Sequence, residues 1–203
     1  MRRRWVGVIV PFLMLLGCGP TPPVYPPSTT TNPPCTPAAS GSQNVTLRPQ
    51  ETDMWCWAAS GRMVMEFLGV PVTQCRQANE RFGRNDCCNQ PVPGGCVMGG
   101  WPEFTKYNFG FQKTSSAPLS WNTTREQISC KHRPFAFSWA WDGGGGHMMV
   151  VIGYATVNGA NYVTINDPWA PNVGDQRIIS YDAYSMGNGY THWDDYYDVV
   201  KQP

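Results

Sequence analysis

The stretch that decides the fold runs Gln50-Glu51-Thr52-Asp53-Met54-Trp55-Cys56-Trp57-Ala58-Ala59-Ser60. Apolar and small residues recur at helical spacing from Cys56 to Leu68, and Gly69 stops the pattern, which predicts a helix. Cys56 would lie in its first turn, where unpaired backbone N–H groups stabilise a negatively charged sulfur. Gln50, six positions earlier, can donate a side-chain N–H to an oxyanion at that sulfur. The stretch indicates a nucleophilic cysteine, against the alternative of a buried structural cysteine.

A base and an orienting carboxylate follow downstream. His147 stands at the start of an apolar strand, directly after the glycine run of residues 143–146, where it is well placed for proton transfer. A second predicted strand ends in Asn166 and Asp167 before Pro168, which cannot continue the ladder. The two side chains point to opposite faces of a regular strand, so only one of them can orient the imidazole.

The order of these residues resembles that of the papain-like cysteine peptidases, in their bacterial branch. Four motifs carry the resemblance, which spans roughly residues 44 to 200. They are Gln50, the Cys56-Trp57-Ala58 helix start, the Gly-His-apolar strand with the Tyr-x-x-Ile-x-Asp-x-Trp ending, and the segment from Gly94 to Pro102.

The resemblance implies an α+β fold in which a helical subdomain carrying the nucleophile helix packs against an antiparallel β-sheet or barrel subdomain. It also implies a Cys56, His147 and Asp167 triad with Gln50 in the oxyanion hole, and a tryptophan, Trp169, that shields the polar pair from water. The plant enzymes have Asn-Ser-Trp where this chain has Asp-Pro-Trp, so Asp167 is preferred to Asn166 on that register. They also have a disulfide-bonded cysteine where Asp53 stands, so their disulfides cannot be carried over.

The N-terminus reads as an export signal. Residues 1–17 combine a positive Arg2-Arg3-Arg4 start with a short apolar run that ends in Leu15-Leu16-Gly17-Cys18, which resembles a bacterial lipobox with Cys18 as the lipidated residue. The alternative is an ordinary secretory peptide with an incidental cysteine. The Pro- and Thr-rich residues 18–42 predict an extended tether, followed by a single domain at 43–203. We expect a protein of the bacterial cell envelope, anchored by lipid at the outer membrane or periplasmic face, or secreted.

Composition limits the partners. The chain has 203 residues with formal net charge +1, and removing Arg2, Arg3 and Arg4 from its 15 basic residues leaves 12 against 14 acidic ones. That balance gives no sign of a nucleic-acid partner. About 160 residues remain for one domain, and we expect a monomer that needs no cofactor and acts on a protein or peptide substrate.

The remaining cysteines form an even set. Without Cys18 and Cys56, six are left for up to three disulfides in an exported protein. Two local bridges are expected among Cys75, Cys87, Cys88 and Cys96, with Cys35 and Cys130 as the residual pair. A zinc site is the competing interpretation, but the chain has no C-x-x-C motif and adjacent cysteines chelate one tetrahedral metal poorly.

Hydrophobic periodicity predicts a helical first half and a β-rich second half. The predicted helices are Cys56 to Leu68, Thr73 to Phe82 and a piece near Pro102 to Asn108. The predicted strands are Phe135 to Ala140, His147 to Thr156, Tyr162 to Asp167, Gln176 to Tyr181 and Tyr196 to Val200. His132 and His192 are expected at the surface, and Met148, Trp139 and Trp101 are plausible substrate-pocket residues.

Three functions fit these features. The first is an exported cysteine endopeptidase. The second keeps the triad but changes the acyl acceptor, giving a transglutaminase, peptide ligase or cell-wall amidase. The third is a catalytically silent lipoprotein whose disulfide-stapled domain binds a partner.

Overall fold

The structure is a computed structural model that describes residues 35–203. The expected signal peptide at 1–17, the expected lipidation site Cys18 and most of the expected tether lie outside the described residues. Among the described helices, none has the length and apolar character needed to cross a membrane.

The described part of the chain contains four α-helices, two 3-10 turns and one π-helical turn. The α-helices are α1 (Cys56–Phe67), α2 (Gln74–Phe82), α3 (Trp121–Arg125) and α4 (Tyr181–Ser185). The 3-10 turns are Gly94–Cys96 and Phe104–Tyr107, and a π-helical turn, Glu126–Cys130, continues α3.

Eight strands form one antiparallel sheet. They are β1 (Ser40–Ser42), β2 (Phe109–Lys113), β3 (Phe135–Trp141), β4 (Gly146–Val157), β5 (Ala160–Asp167), β6 (Asp175–Ser180), β7 (Met186–Gly187) and β8 (Tyr190–Lys201). The strand order is β2-β8-β3-β4-β5-β6, with β1 paired to β4 and β7 to β8. Helices packed against an antiparallel sheet are the predicted α+β arrangement, which is therefore confirmed.

The central strand β4 divides the core into two layers. Met148, Val150 and Ile152 join the buried cluster that contains α1, whereas Met149 and Val151 join a second cluster. This split follows from the period-two alternation of strand side chains. Because β4 packs against apolar residues on both faces, the position of the whole strand is fixed. His147 is the second residue of β4 and lies at the edge of the layer that contains α1.

Helix α1 ends where the sequence predicts. Leu68 is its C-terminal cap, and Gly69 has φ +84°, a left-handed conformation that glycine adopts without the steric cost of a Cβ. The next helix begins after Thr73, whose side chain accepts a hydrogen bond from the Arg76 backbone N–H. The stop at Gly69 therefore sets the C-terminal end of α1, and the Thr73 cap sets the start of α2.

Three disulfides staple the fold. Cys75 is bonded to Cys88 and Cys87 to Cys96, two local bridges in the loop-rich stretch, and Cys35 is bonded to Cys130 across 95 residues. These pairings confirm the expected two local bridges and the residual pair. In the chain-entropy treatment, a loop of that length stabilises the folded state by roughly 4–5 kcal/mol.

The folded unit begins before residue 43, the boundary expected from composition. Cys35 is fixed by its disulfide, and β1 pairs Ser40 with Ala155 and Ser42 with Gly153. Residues 35–42 thus belong to the domain instead of the tether. Their Pro- and Ser-rich composition conceals this, because the strand is anchored by pairing and a disulfide rather than by apolar side chains of its own.

Candidate active site

Cys56 is the first residue of α1, and its side chain is partly exposed. Among the described cysteines it is the one outside a disulfide. Its neighbours Trp55 and Trp57 are buried and donate their indole N–H groups to the carbonyls of Cys96 (2.7 Å) and Met98 (3.1 Å). These bonds anchor the chain on both sides of the thiol, so the sulfur is held at a cleft and not in the core.

The structure brings His147 and Asp167 together at the ends of β4 and β5. His147 Nε2 lies 2.6 Å from Asp167 Oδ1. Asn166 faces away, donating from Nδ2 to the Val45 carbonyl at 3.0 Å and accepting from Gln176 Nε2 at 2.8 Å. Asp167, and not Asn166, is therefore the residue in contact with the imidazole.

Asp167 has two further hydrogen-bond partners. The backbone N–H of Trp169 donates to Oδ1 at 3.0 Å, and Arg177 Nη2 donates to Oδ2 at 2.5 Å. Sequence reasoning missed Arg177, since only the β5–β6 register reveals that it reaches the carboxylate. Each carboxylate oxygen consequently has at least one donor from the protein.

The charges at this site favour a protonated imidazole. Burial lowers the pKa of His147. The Asp167 carboxylate, which accepts a hydrogen bond from the ring, and the neighbouring Cys56 sulfur, together with the charges of both, outweigh burial and raise the pKa to about 9. Burial likewise raises the pKa of Asp167, but His147, the Trp169 N–H and Arg177 together lower it below the usual value. Because Nε2 is engaged by Asp167, Nδ1 is the nitrogen left to face the thiol.

Gln50 lines the same cleft as Cys56 and is fully buried. Its Nε2 donates to the Thr52 carbonyl at 2.8 Å, and an amide nitrogen carries two hydrogens, so one remains available. Its backbone is tied to the loop after β5, because its N–H donates to the Pro168 carbonyl and its carbonyl accepts from Asn172. The Gln50 side of the cleft is thereby linked to the loop that follows Asp167.

A second glutamine fixes the position of Gln50. Gln74, the first residue of α2, is fully buried. Its Oε1 accepts from the Glu51 backbone N–H at 2.9 Å, and its Nε2 donates to the Pro49 carbonyl at 2.7 Å. One side-chain amide thus binds the peptide groups on both sides of Gln50, as a neighbouring strand would. Sequence analysis did not single out Gln74, because a polar residue after a helix cap usually faces solvent.

Comparison with known families gives a direct match. A family model described as "Peptidase_C39 like family" matches residues 42–200, most of the chain. The chain belongs to the Peptidase_C39-like family. Curated proteins give no match to the sequence.

Solved structures of papain-like peptidases resemble this Peptidase_C39-like protein. A chain from a study of antibody cross-reactivity between the mite allergens Blo t 1 and Der p 1 is 15% identical with a TM-score of 0.54, covering 83% of this chain and 73% of that one. The digestive procathepsin L 3 of the Tenebrio molitor larval midgut is 16% identical with a TM-score of 0.45, covering 81% and 71%. At 15% identity the likeness to the first of these structures concerns the fold alone, and on it the papain-like fold is confirmed. A disulfide-rich domain of this kind is typical of an exported protein.

The cleft of this Peptidase_C39-like protein is about 670 Å³ in volume and predominantly apolar. Trp101, Trp139 and Met148, the predicted pocket residues, all line it. Two further tryptophans, Trp141 and Trp193, share the wall. Trp193 was missed because it lies in the charged β8 sequence, which gives no sign of facing a cleft.

Trp169 lies at the rim of the cleft. Its side chain is 51% exposed, so it contributes an apolar edge and its backbone N–H fixes Asp167. A side chain at the rim can cover the His147–Asp167 pair from one side. The predicted shielding role of Trp169 stays a prediction.

The other two histidines differ from each other. His132 is exposed, as expected. The expectation for His192 was wrong, because it is 4% exposed and lies in the core, with Nε2 2.9 Å from Asp195 Oδ2 and Nδ1 3.0 Å from the Tyr184 carbonyl. The charged β8 sequence suggested a solvent-facing strand, but these polar groups satisfy one another internally.

The potential metal ligands do not form a suitable site. Asp86, Cys87 and Cys96 are the one cluster of three ligand-type side chains in residues 35–203. Both cysteines are bonded to each other, and a disulfide offers no thiolate to a metal. The zinc interpretation of this cysteine-rich stretch therefore fails on chemistry.

Proposed function

We propose that this protein is an exported cysteine endopeptidase that hydrolyses peptide bonds with Cys56, His147 and Asp167. One observation carries the proposal: the His147 imidazole is hydrogen-bonded to the buried Asp167 carboxylate and lines the same open cleft as the free thiol of Cys56, and both residues raise the pKa of the imidazole. Such a set provides a nucleophile, an acid and an orienting group within one constellation.

In the first half-reaction, the Cys56 thiolate attacks the substrate carbonyl carbon and forms a C–S bond. The electron pair of the C=O bond moves to oxygen, and the remaining Gln50 Nε2 hydrogen and the Cys56 backbone N–H stabilise that oxyanion. When the oxyanion collapses, the C–N bond breaks. The His147 imidazolium protonates the departing amine, which leaves a thioester on Cys56.

In the second half-reaction, neutral His147 takes a proton from water while the water oxygen attacks the thioester carbon. The C–S bond breaks, the acid product leaves, and the thiolate–imidazolium pair is restored. Asp167 holds the ring orientation throughout without changing its own protonation.

Substituting the nucleophile tests the proposal. Cys56→Ala is expected to abolish both turnover of a peptide library and labelling by a thiol-alkylating epoxide, while Cys18→Ser, which removes the other cysteine expected to be outside a disulfide, retains turnover. Measurable hydrolysis by Cys56→Ala would overturn the assignment. A folded wild-type protein that neither cleaves peptides nor reacts with the epoxide would favour the catalytically silent, partner-binding function.

Product analysis separates hydrolysis from acyl transfer. In the presence of added primary amines, a peptidase is expected to release mainly the free acid, because water reaches an open cleft readily. Amide products in large excess over acid would identify a transglutaminase, ligase or related acyltransferase instead. Release of stem peptide from cell wall in place of cleaved protein would identify an amidase.

The cellular setting proposed rests on the sequence before residue 35. Residues 1–17 are inferred to be a lipoprotein signal peptide, and Cys18 the lipidated residue that anchors a monomeric enzyme to the bacterial envelope. Metabolic labelling with a fatty acid is expected to tag the wild type and not Cys18→Ser. Equal labelling of both would contradict the anchor.

A further inference from the structure

We propose that Arg177 is a positioning residue that holds Asp167 as a carboxylate against His147. The inference rests on the proposed function, since Asp167 and His147 belong to the proposed triad. It adds a fourth ionic side chain to that set, from the neighbouring strand β6. Arg177 acts on the imidazole through Asp167 and does not contact it.

Strand register brings Arg177 to the carboxylate. In the β5–β6 pair, Ile165 lies opposite Arg177 and Asp167 lies opposite Asp175. Residues opposite each other share a sheet face, as do residues two apart on one strand. Arg177 is therefore diagonal to Asp167 on the same face, a distance that a long side chain spans, and Nη2 ends 2.5 Å from Oδ2.

The two carboxylate oxygens of Asp167 have different partners. Oδ1 accepts from His147 Nε2 and from the Trp169 N–H. Oδ2 accepts a hydrogen bond from Arg177, and within the described residues no other donor contacts Oδ2. The Asp167 side chain is 5% exposed, so loss of Arg177 would leave this oxygen with little water to replace the bond.

Arg177 supplies a positive charge beside the Asp167 carboxylate. Asp175 places a second negative charge on the same face, directly opposite Asp167. The titratable groups that face Asp167 from the other elements are His147 on β4 and, through His147, Cys56 on α1. His147 and Arg177 are the charged groups that lower the pKa of Asp167, and of the two Arg177 carries a permanent positive charge.

Exposure limits the size of the effect. The Arg177 side chain is 44% exposed and lines the cleft, so water and salt screen part of its attraction. We expect Arg177→Ala to lower kcat/KM about tenfold, mainly through kcat, because positioning of the proton donor acts on the transition state. Arg177→Lys keeps the charge without the planar fork and is expected to recover about a third of the activity.

The test measures the pH dependence of iodoacetamide alkylation at Cys56, read by mass spectrometry of the peptide that contains it, in the full chain. Without Arg177, Asp167 protonates more readily and stabilises the imidazolium less, so the thiolate forms at higher pH. The alkylation midpoint on the acid side is expected to rise by about half to one pH unit in Arg177→Ala and to return part of the way in Arg177→Lys. Arg133→Ala, which removes a partly exposed arginine paired with Asp198, is the matched control and is expected to leave the midpoint unchanged.

An unchanged midpoint in folded Arg177→Ala would overturn the proposal, as would an equal shift in Arg133→Ala. If Arg177→Ala does not fold, Arg177→Gln removes the charge while it keeps a longer, polar side chain than alanine, and it gives the same test. Alkylation requires no substrate, so it also separates the two proposals. A shifted midpoint in a protein that hydrolyses no peptide would keep the positioning role and overturn the peptidase.

Discussion

Two histidine–aspartate pairs occur in one sheet, and they differ in what surrounds them. His147 and Asp167 lie 2.6 Å apart beside a free thiol in an open cleft. His192 and Asp195 lie 2.9 Å apart in the core, where both ring nitrogens already contact protein oxygens. The first pair has a ring nitrogen left for chemistry and the second has none. Pairing with an aspartate alone therefore does not indicate a catalytic histidine, and the proposed role of His147 depends on its unused ring nitrogen beside the Cys56 thiol.

The largest expected difference between the pairs is in activity. His147→Ala removes the proposed proton donor, and we expect kcat/KM for a cleaved peptide to fall about 10³- to 10⁴-fold. His192→Ala is expected to keep kcat within about threefold in the fraction that remains folded. Steady-state kinetics, corrected for folded fraction by circular dichroism, measures both. Equal losses in the two variants would mean that the distinction between the pairs is wrong.

The loss of stability is expected to be larger for the buried pair, His192 and Asp195, than for His147 and Asp167. Asp195 is fully buried and accepts from Tyr184, His192 and the Leu119 N–H. Asp195→Ala leaves these donors unsatisfied and is expected to lower the free energy of unfolding by about 3–5 kcal/mol. Urea denaturation measures the loss, with His147→Ala as the comparison. A change below about 1 kcal/mol would show that the buried pair contributes little.

The pH dependence also distinguishes them. The folded pKa of His147, about 9, is above the ordinary histidine value of 6.5, so the contribution of His147 to stability is complete below pH 6.5 and is lost as pH rises through 9. That contribution is expected to be on the order of 2 kcal/mol, and kcat/KM is expected to decline on the same basic limb as the imidazolium loses its proton. Denaturation at a series of pH values in the wild type and His147→Ala checks this. A wild-type curve parallel to that of His147→Ala would contradict the raised pKa.

The smallest expected effect concerns Gln74, which holds Gln50 at the proposed oxyanion hole. Gln74→Ala frees the peptide groups on both sides of Gln50 and is expected to lower kcat about tenfold with little change in KM. Gln77→Ala is the matched control, because Gln77 is an equally buried glutamine one turn later that donates to the Ala58 carbonyl. A similar loss of stability is expected in both, so a matching loss of kcat would assign the effect to packing and not to Gln50.

The residues of the His147–Asp167 site could largely be predicted from the sequence. Cys56, His147 and Asp167 stand at the ends of strongly patterned elements, the predicted helix Cys56 to Leu68 and two apolar strands, and an element end is where a side chain can reach a cleft. The structure places all three together. Strand alternation predicted that only one of Asn166 and Asp167 can orient the imidazole; the preference for Asp167 came from the resemblance to the papain-like peptidases, and Asp167 is the residue that contacts His147. Their catalytic roles stay predictions.

The surroundings of both pairs could not be predicted in this way. Arg177 reaches Asp167 only because of the β5–β6 register, and Gln74 binds the backbone on both sides of Gln50 through its side-chain amide. Neither arrangement leaves a periodic signal in the sequence. The elements α3 and α4 were missed because they are five residues long, although Ser120 and Ser180 cap them through side-chain hydrogen bonds. His192 was misplaced because charged strands usually face water, and its internal hydrogen bonds to Asp195 and to the Tyr184 carbonyl leave no periodic signal in the sequence.

The most direct measurement is the rate of iodoacetamide alkylation at Cys56 near pH 6, in the folded protein and in the same chain unfolded in urea with its disulfides intact. A thiolate–imidazolium pair predicts that the folded wild type reacts at least about tenfold faster than the unfolded chain, and that His147→Ala loses this advantage. A folded thiol that reacts no faster than the unfolded one, or an advantage that persists without His147, would contradict the account.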